Sequence, residues 1–138
     1  MILCVFPRTK MSFSTEISLL ILTISYQFIN SQLQQQPEQI HLSYGAKPSQ
    51  MIVTWATINE TSTSLVEYGI QGLDQQASGI QYPFVDGGPE KRRIFIHKVT
   101  LKDLKPGVKY LYHCGGRDGW SSLYYFTAMK SGTNWNPR

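Results

Sequence analysis

The chain has 138 residues and a formal net charge of +4; 41% of its residues are hydrophobic and 12% aromatic. That is enough for one domain with a buried core, and it excludes a disordered chain. The basic residues are scattered apart from Lys91-Arg92-Arg93, with no basic stripe interleaved with aromatics, so no nucleic-acid partner is expected.

In chain order, the first feature is a leader. Arg8 and Lys10 precede the apolar run Ile17-Ser-Leu-Leu-Ile-Leu-Thr-Ile24, and a polar shift at Gln27 and Asn30 leads to the small residue Ser31. This is the layout of a signal peptide over residues 1–31, cleaved near Ser31. The run is shorter than the ~20 apolar residues that cross a bilayer, so no membrane span is expected. A buried strand or a monotopic anchor is the structural alternative, and Met11 is an alternative start that keeps the apolar run intact. Export places the mature chain in a secreted or lumenal, extracellular or lysosomal, compartment. Cys4 leaves with the leader, which leaves Cys114 as an odd cysteine. Export also makes Asn59-Glu60-Thr61 a usable sequon, with Asn59 as the glycosylation site.

Residues 32–37, rich in glutamine, read as a flexible lead-in. From residue 38 to 129 the sequence breaks into short β-branched and aromatic runs separated by Gly, Pro, Ser and Asn, the pattern of an all-β sandwich. Gln39 to Tyr44 places Ile40, Leu42 and Tyr44 on one face and Gln39, His41 and Ser43 on the other. Met51 to Trp55 places Met51, Val53 and Trp55 together, and Leu65 to Gly69 forms a third strand. Gln71 to Gly88 is expected to hold one edge strand and a long loop. Ile94 to Leu101 puts Phe95, His97, Val99 and Leu101 on one face, and Val108 to Cys114 and Leu123 to Ala128 complete about seven strands. The turn Leu104-Lys-Pro-Gly-Val-Lys-Tyr110 sharpens the fold class. Pro106 fixes φ, Gly107 supplies the positive φ of a type II turn, and Tyr110 is placed to return its hydroxyl to the upstream backbone. With Trp55 on an earlier strand, the layout is that of a fibronectin type III or immunoglobulin-like antiparallel sandwich. Trp55, Tyr68, Phe95, Tyr110, Tyr112 and Phe126 are its expected core.

Catalytic chemistry is hard to find. His41 and His113 point away from the core by strand parity, while His97 points inward and needs a polar partner. The three lie on separate strands, with no H-x-H or H-E-x-x-H spacing to hold zinc. Asp86 beside Gly87-Gly88 and Asp118 beside Gly119 are first of all turn residues. No G-x-S-x-G elbow, P-loop or Cys-x-x-Cys pair is present. Cys114 shares core parity with Tyr110 and Tyr112 and is expected to be an inert buried thiol.

Several segments carry a family resemblance. They are Pro37-Glu-Gln-Ile-His-Leu-Ser-Tyr44, Ile52-Val-Thr-Trp55, Val66-Glu-Tyr-Gly69, Ile96-His-Lys-Val-Thr-Leu101, Leu104-Lys-Pro-Gly107 and Tyr112-His-Cys-Gly115. Together they resemble the amino-terminal domain of purple acid phosphatases. Pro83-Phe-Val-Asp-Gly-Gly88 and the stretch from Lys130 to Arg138 resemble the animal branch of that family. The resemblance implies a fibronectin-like module packed against an α/β metallophosphatase domain of the same polypeptide. Such enzymes hydrolyse phosphate monoesters at acidic pH, with a ferric ion paired to a second metal: iron, zinc or manganese. Their ligand motifs, G-D-x-G, G-D-x-x-Y, G-N-H and G-H-x-H, do not occur in this sequence, and the first would follow Pro137-Arg138. No catalytic or metal residue is therefore carried over, and no cofactor is expected in this chain. Residues 130–138 are expected to be a linker toward the catalytic domain. Candidates for contact with that domain are the Tyr82–Asp86 loop with Phe84 and Asp86, the unexplained inward polar residue His97, and Trp135. A free-standing fibronectin-like binding or adhesion module is the other reading that the residues leave open.

Overall fold

The computed structural model describes residues 13–132, which hold one helix and nine strands: α1 (Phe13–Leu33), β1 (Glu38–Tyr44), β2 (Met51–Thr57), β3 (Leu65–Gly69), β4 (Gln75–Ser78), β5 (Ile80–Val85), β6 (Arg93–Leu101), β7 (Lys109–Gly116), β8 (Gly119–Trp120) and β9 (Tyr124–Thr127). The chain divides into two compact units, residues 1–31 and 32–138. In the first, α1 leaves the apolar side chains of Ile17, Leu19 to Leu22, Ile24 and Ile29 exposed. Among the described residues no helix is long and apolar enough to cross a membrane.

The second unit is a sandwich of two antiparallel sheets. One runs β1-β2-β6-β5; the other runs β4-β3-β7, with β8 and β9 both paired to β7. Alternation sets which faces meet. Along β6, Phe95, His97, Val99 and Leu101 are buried, and the neighbours between them are not. Met51, Val53 and Trp55 of β2 stand opposite Leu101, Val99 and His97. From the other sheet come Val66, Tyr68, Tyr110, Tyr112, Cys114 and Phe126 to close one core. Burial of such side chains, at roughly 1.5–3 kcal/mol each, is what offsets the entropy of ordering short strands.

The region from Gln71 to Gly88 differs from expectation. It holds two strands, not one edge strand and a loop. β4 pairs with β3, and after Gly79 the chain enters the other sheet as β5, paired with β6. The change of sheet depends on close approach: Gly79 N donates to Ser64 O (3.0 Å), and a Cβ on Gly79 would run into the Lys98 carbonyl. Alternation cannot reveal such a switch, because the strand changes partner while its side-chain period stays at two.

β1 also departs from a plain core strand. Its inward parity is kept, with Leu42 opposite Val53 and Tyr44 opposite Met51, yet both are exposed because β1 is an edge strand. Gln39 has φ 50°, and the register slips between Glu38 and His41, which marks a bulge. The segment expected as a flexible lead-in is tied down at two points. Gln34 O accepts from Asn59 N (2.9 Å), and Gln35 Nε2 donates to Glu60 O (3.2 Å).

Candidate functional site

The Pro-Gly turn positions the most diagnostic contact of the sandwich. Gly107 has φ 71°, and Val108 N closes the turn on Lys105 O at 3.3 Å. The chain then enters β7, where Tyr110 is buried and its hydroxyl accepts a hydrogen bond from Lys105 N at 3.0 Å. Pro106 itself stands at the surface. The Tyr110 ring stacks on Phe126 (centroids 5.6 Å apart) and touches Tyr68 (6.2 Å), so the turn is fastened to the core through one phenol.

His97 is the one histidine fully inside, at 0% exposure. Its own sandwich covers it completely, so the polar partners it needs are supplied from within the module. Its ring lies against Trp55 with centroids 4.9 Å apart and planes within 4°. Nε2 is 2.9 Å from Thr57 Oγ1, and Nδ1 is 2.9 Å from Ser64 Oγ. The Thr57 hydroxyl donates to Asn59 O at 2.6 Å, so its oxygen accepts from His97. Nε2 therefore carries the proton, and Nδ1 accepts from Ser64. The resulting chain runs Ser64 to His97 to Thr57 to the Asn59 carbonyl, with every ring nitrogen satisfied by a neutral partner. Burial pushes the His97 pKa down to about 4, so the ring is neutral in its pocket. Sequence parity placed His97 inward. Thr57 was legible as the next inward position on β2 after Trp55, but Ser64 lies ahead of its strand, where alternation says nothing.

The loop from Ile58 to Ser64, which carries the sequon, is pinned on several sides. Asn59 is exposed, and its Nδ2 donates to Gln34 Oε1 at 2.7 Å. Thr61 is buried, and its amide donates to Gln81 Oε1 of β5 at 3.3 Å. Asp118, in the two-residue turn between β7 and β8, accepts from both the amide and the hydroxyl of Ser62 at 2.7 Å. Those bonds, from the Ser62 amide first, hold the Asp118 carboxyl below the usual carboxylate range.

Asp86 is a loop organiser. It accepts from Gly88 N (3.1 Å) and Arg92 N (3.2 Å) and pairs with Arg92 Nε (2.9 Å). Phe84 is 51% exposed on β5, beside exposed Tyr82 and Ile80. Trp135 lies outside the described residues. Cys114 is fully buried, and burial pushes its thiol up to about 12, which is the opposite of what a nucleophile needs. His113 is on the outer face of its sheet, where Nε2 meets Glu67 Oε2 at 2.8 Å and the ring stacks on Trp120. Among the described residues no three His, Cys, Asp or Glu side chains come together to hold a metal ion. The several hard donors that a two-metal centre needs are not brought together by the described residues.

Residues 37–128 match the family model of the purple acid phosphatase N-terminal domain. The chain belongs to the purple acid phosphatase family. Human acid phosphatase type 7 is 48% identical over 105 residues, covering 74% of this chain and 24% of the human protein, and the mouse protein matches equally. Purple acid phosphatase 21 of Arabidopsis thaliana is 36% identical over 86 residues, 58% of this chain and 18% of the plant protein. Among solved structures, a purple acid phosphatase from yellow lupin (Lupinus luteus) seeds superimposes with a TM-score of 0.57 at 22% identity. It covers 70% of this chain and 20% of the lupin chain, and it carries the fold alone. The chain thus spans about a quarter of the length of the animal relatives it matches.

Proposed function

We propose that this chain is the amino-terminal, non-catalytic module of a secreted purple acid phosphatase, packed against a following metallophosphatase domain that it covers and positions. The parent reaction is hydrolysis of phosphate monoesters at acidic pH by a ferric ion paired with iron, zinc or manganese. The observation that carries the reading is the match over residues 37–128 to an N-terminal domain, in relatives of which that match is only about a quarter. In this reading residues 1–31 are a signal peptide, and Asn59 carries a glycan. Two exposed apolar strips qualify for contact with the following domain: Ile80, Tyr82 and Phe84 on β5, and Leu123 to Tyr125 at β9.

The purified chain, supplied with iron and zinc, is tested on p-nitrophenyl phosphate. No metal-dependent turnover is expected. Turnover that saturates with substrate and is abolished by chelation overturns the non-catalytic reading.

A further inference from the structure

Three consecutive glutamines, Gln34 to Gln36, lie against one end of the sandwich, and each is held by a different group. Gln34 meets Asn59 twice: its carbonyl accepts from the Asn59 amide at 2.9 Å, and its Oε1 accepts from Asn59 Nδ2 at 2.7 Å. Gln35 Nε2 donates to Glu60 O at 3.2 Å. The Gln36 side-chain amide lies against Gly119, where an added Cβ would come within 2.7 Å of its nitrogen. The segment therefore runs from the 58–64 loop to the β7–β8 hairpin.

Under it is a narrow enclosed space. Gln35 lines that space together with Trp55, Thr57, Thr63, Gly116 and Gly119, and it is too tight to admit a water. The Thr63 hydroxyl is shut in at this point. Its oxygen is buried with no hydrogen-bond partner among the described residues, and it faces Gly116, where a Cβ would strike it. A hydroxyl denied both protein and water partners bears the cost of its own desolvation. The glutamine side-chain bonds that close the space are exposed, and each is worth only a modest net amount over the water bonds it replaces. Closure thus gains a few weak bonds and strands one polar atom. Opening does the reverse, so the two states lie close in free energy, while the strand ladders beside them stay paired.

We infer that residues 34–36 form a strap that opens locally, ahead of the sandwich, and admits water to Thr63 and to the Thr57 end of the His97 hydrogen-bond chain. Thr57 lines the space under the strap, and its Oγ1 is 2.9 Å from His97 Nε2. The strap therefore stands between solvent and the buried imidazole. The device is complete within this module and needs no second domain.

Native-state amide exchange of the full chain, followed by NMR across low urea concentrations, tests the strap. The Asn59 amide reports on it, because its acceptor is Gln34 O. The amides of buried Leu104 and Ala128, bonded to Ser49 O and Val108 O, report on the sandwich. Asn59 is expected to exchange roughly a hundredfold faster than those two, at a rate nearly flat in urea while theirs rise. Thr63→Val puts a methyl in place of the stranded hydroxyl and is expected to slow Asn59 exchange about tenfold, whereas Thr63→Ser keeps the hydroxyl and the wild-type rate. Replacing Gln34, Gln35 and Gln36 together by alanine is expected to speed Asn59 exchange, with Leu104 and Ala128 unchanged. Asn59 exchange at the rate and urea slope of Leu104 and Ala128 means that the strap opens only with the whole sandwich, and overturns the device. Exchange in Thr63→Val as fast as in wild type overturns it too, because the hydroxyl then does not oppose closure. The wild-type comparison decides the matter by itself if the valine variant does not fold.

Discussion

Trp55 and His97 stand opposite each other on β2 and β6 and stack flat, with ring centroids 4.9 Å apart, and neither side chain reaches solvent. The imidazole is held in its neutral form between Thr57 and Ser64, and among the described residues burial alone, with no charged partner beside it, sets its lowered pKa. The groups that face it from neighbouring strands are Trp55, Thr57, Ser64 and, across the β5–β6 pairing, Gln81.

This arrangement makes stability depend on pH in a defined window. The His97 pKa falls from 6.5 to about 4 on folding, so the unfolded chain binds the proton first. Stability is complete above pH 6.5 and is lost as pH falls toward 4, by about 2 kcal/mol at pH 5. Asp118 acts separately: its lowered pKa costs stability only below the unfolded carboxylate range, near 3.8. Urea unfolding at pH 7.5 and pH 5 is expected to show the loss in the wild-type chain. In His97→Phe the neutral-pH stability is lower, because Thr57 and Ser64 lose their partner, but the difference between the two pH values largely disappears. An unchanged pH slope in that variant places the titrating group elsewhere.

Tyr110→Phe removes one oxygen from a closed core. The Lys105 amide loses its acceptor while the Phe126 and Tyr68 ring contacts stay. The expected loss is about 1 kcal/mol in chemical denaturation, the net worth of one hydrogen bond at a half-buried site. A neutral substitution means that water reaches Lys105 and the turn is not fastened through the phenol.

Much of this fold was legible in the residues because strand period and turn chemistry are local. The inward sets on β2 and β6 follow from alternation alone, and Leu104 to Tyr110 announces its own turn through Pro106 and Gly107. What stayed hidden was set by partners distant in sequence. The switch at Gly79 depends on the Lys98 carbonyl, and the contacts of His97 depend on a serine outside any strand. The exposure of Leu42 depends on β1 being an edge, which no single strand can declare. The exposed apolar strips on β5 and at β9 needed the sheet order, which no single strand carries.

Gly79→Ala tests the sheet switch. The added methyl meets backbone, not a flexible side chain, because the Lys98 carbonyl and the Val99 Cα occupy its place. The Ser64 carbonyl also loses its short approach to the Gly79 amide if the strand backs away. A loss of about 3 kcal/mol or more is expected, at the upper end for overpacking. Gly72→Ala, where a Cβ meets nothing within 4 Å, is the matched control and is expected to be near neutral. Equal behaviour of the two variants contradicts the close approach at Gly79.

Asn59 stands exposed while Thr61, the hydroxyl residue of the same sequon, is buried against β5. A glycan on Asn59 therefore projects into solvent, and the folded loop keeps Thr61 covered. Expression through a secretory host is expected to give a mass increment that Asn59→Gln and Thr61→Val each abolish. Intact mass spectrometry showing the bare polypeptide from that host removes the glycan from the account.

Cys114 offers a kinetic check on the core. Its thiol is enclosed in the core and raised by burial from 9.0 to about 12, and the Cys114 amide donates to Ser121 Oγ at 3.1 Å. Near neutral pH that leaves roughly a thousandfold less thiolate than a free peptide thiol, and the thiolate is the species that reacts. Iodoacetamide is therefore expected to modify the native chain only as fast as the sandwich opens, with the rate rising steeply through the urea transition. Labelling at the speed of a free peptide in native buffer requires Cys114 to face solvent, and with it the face shared by Tyr110 and Tyr112.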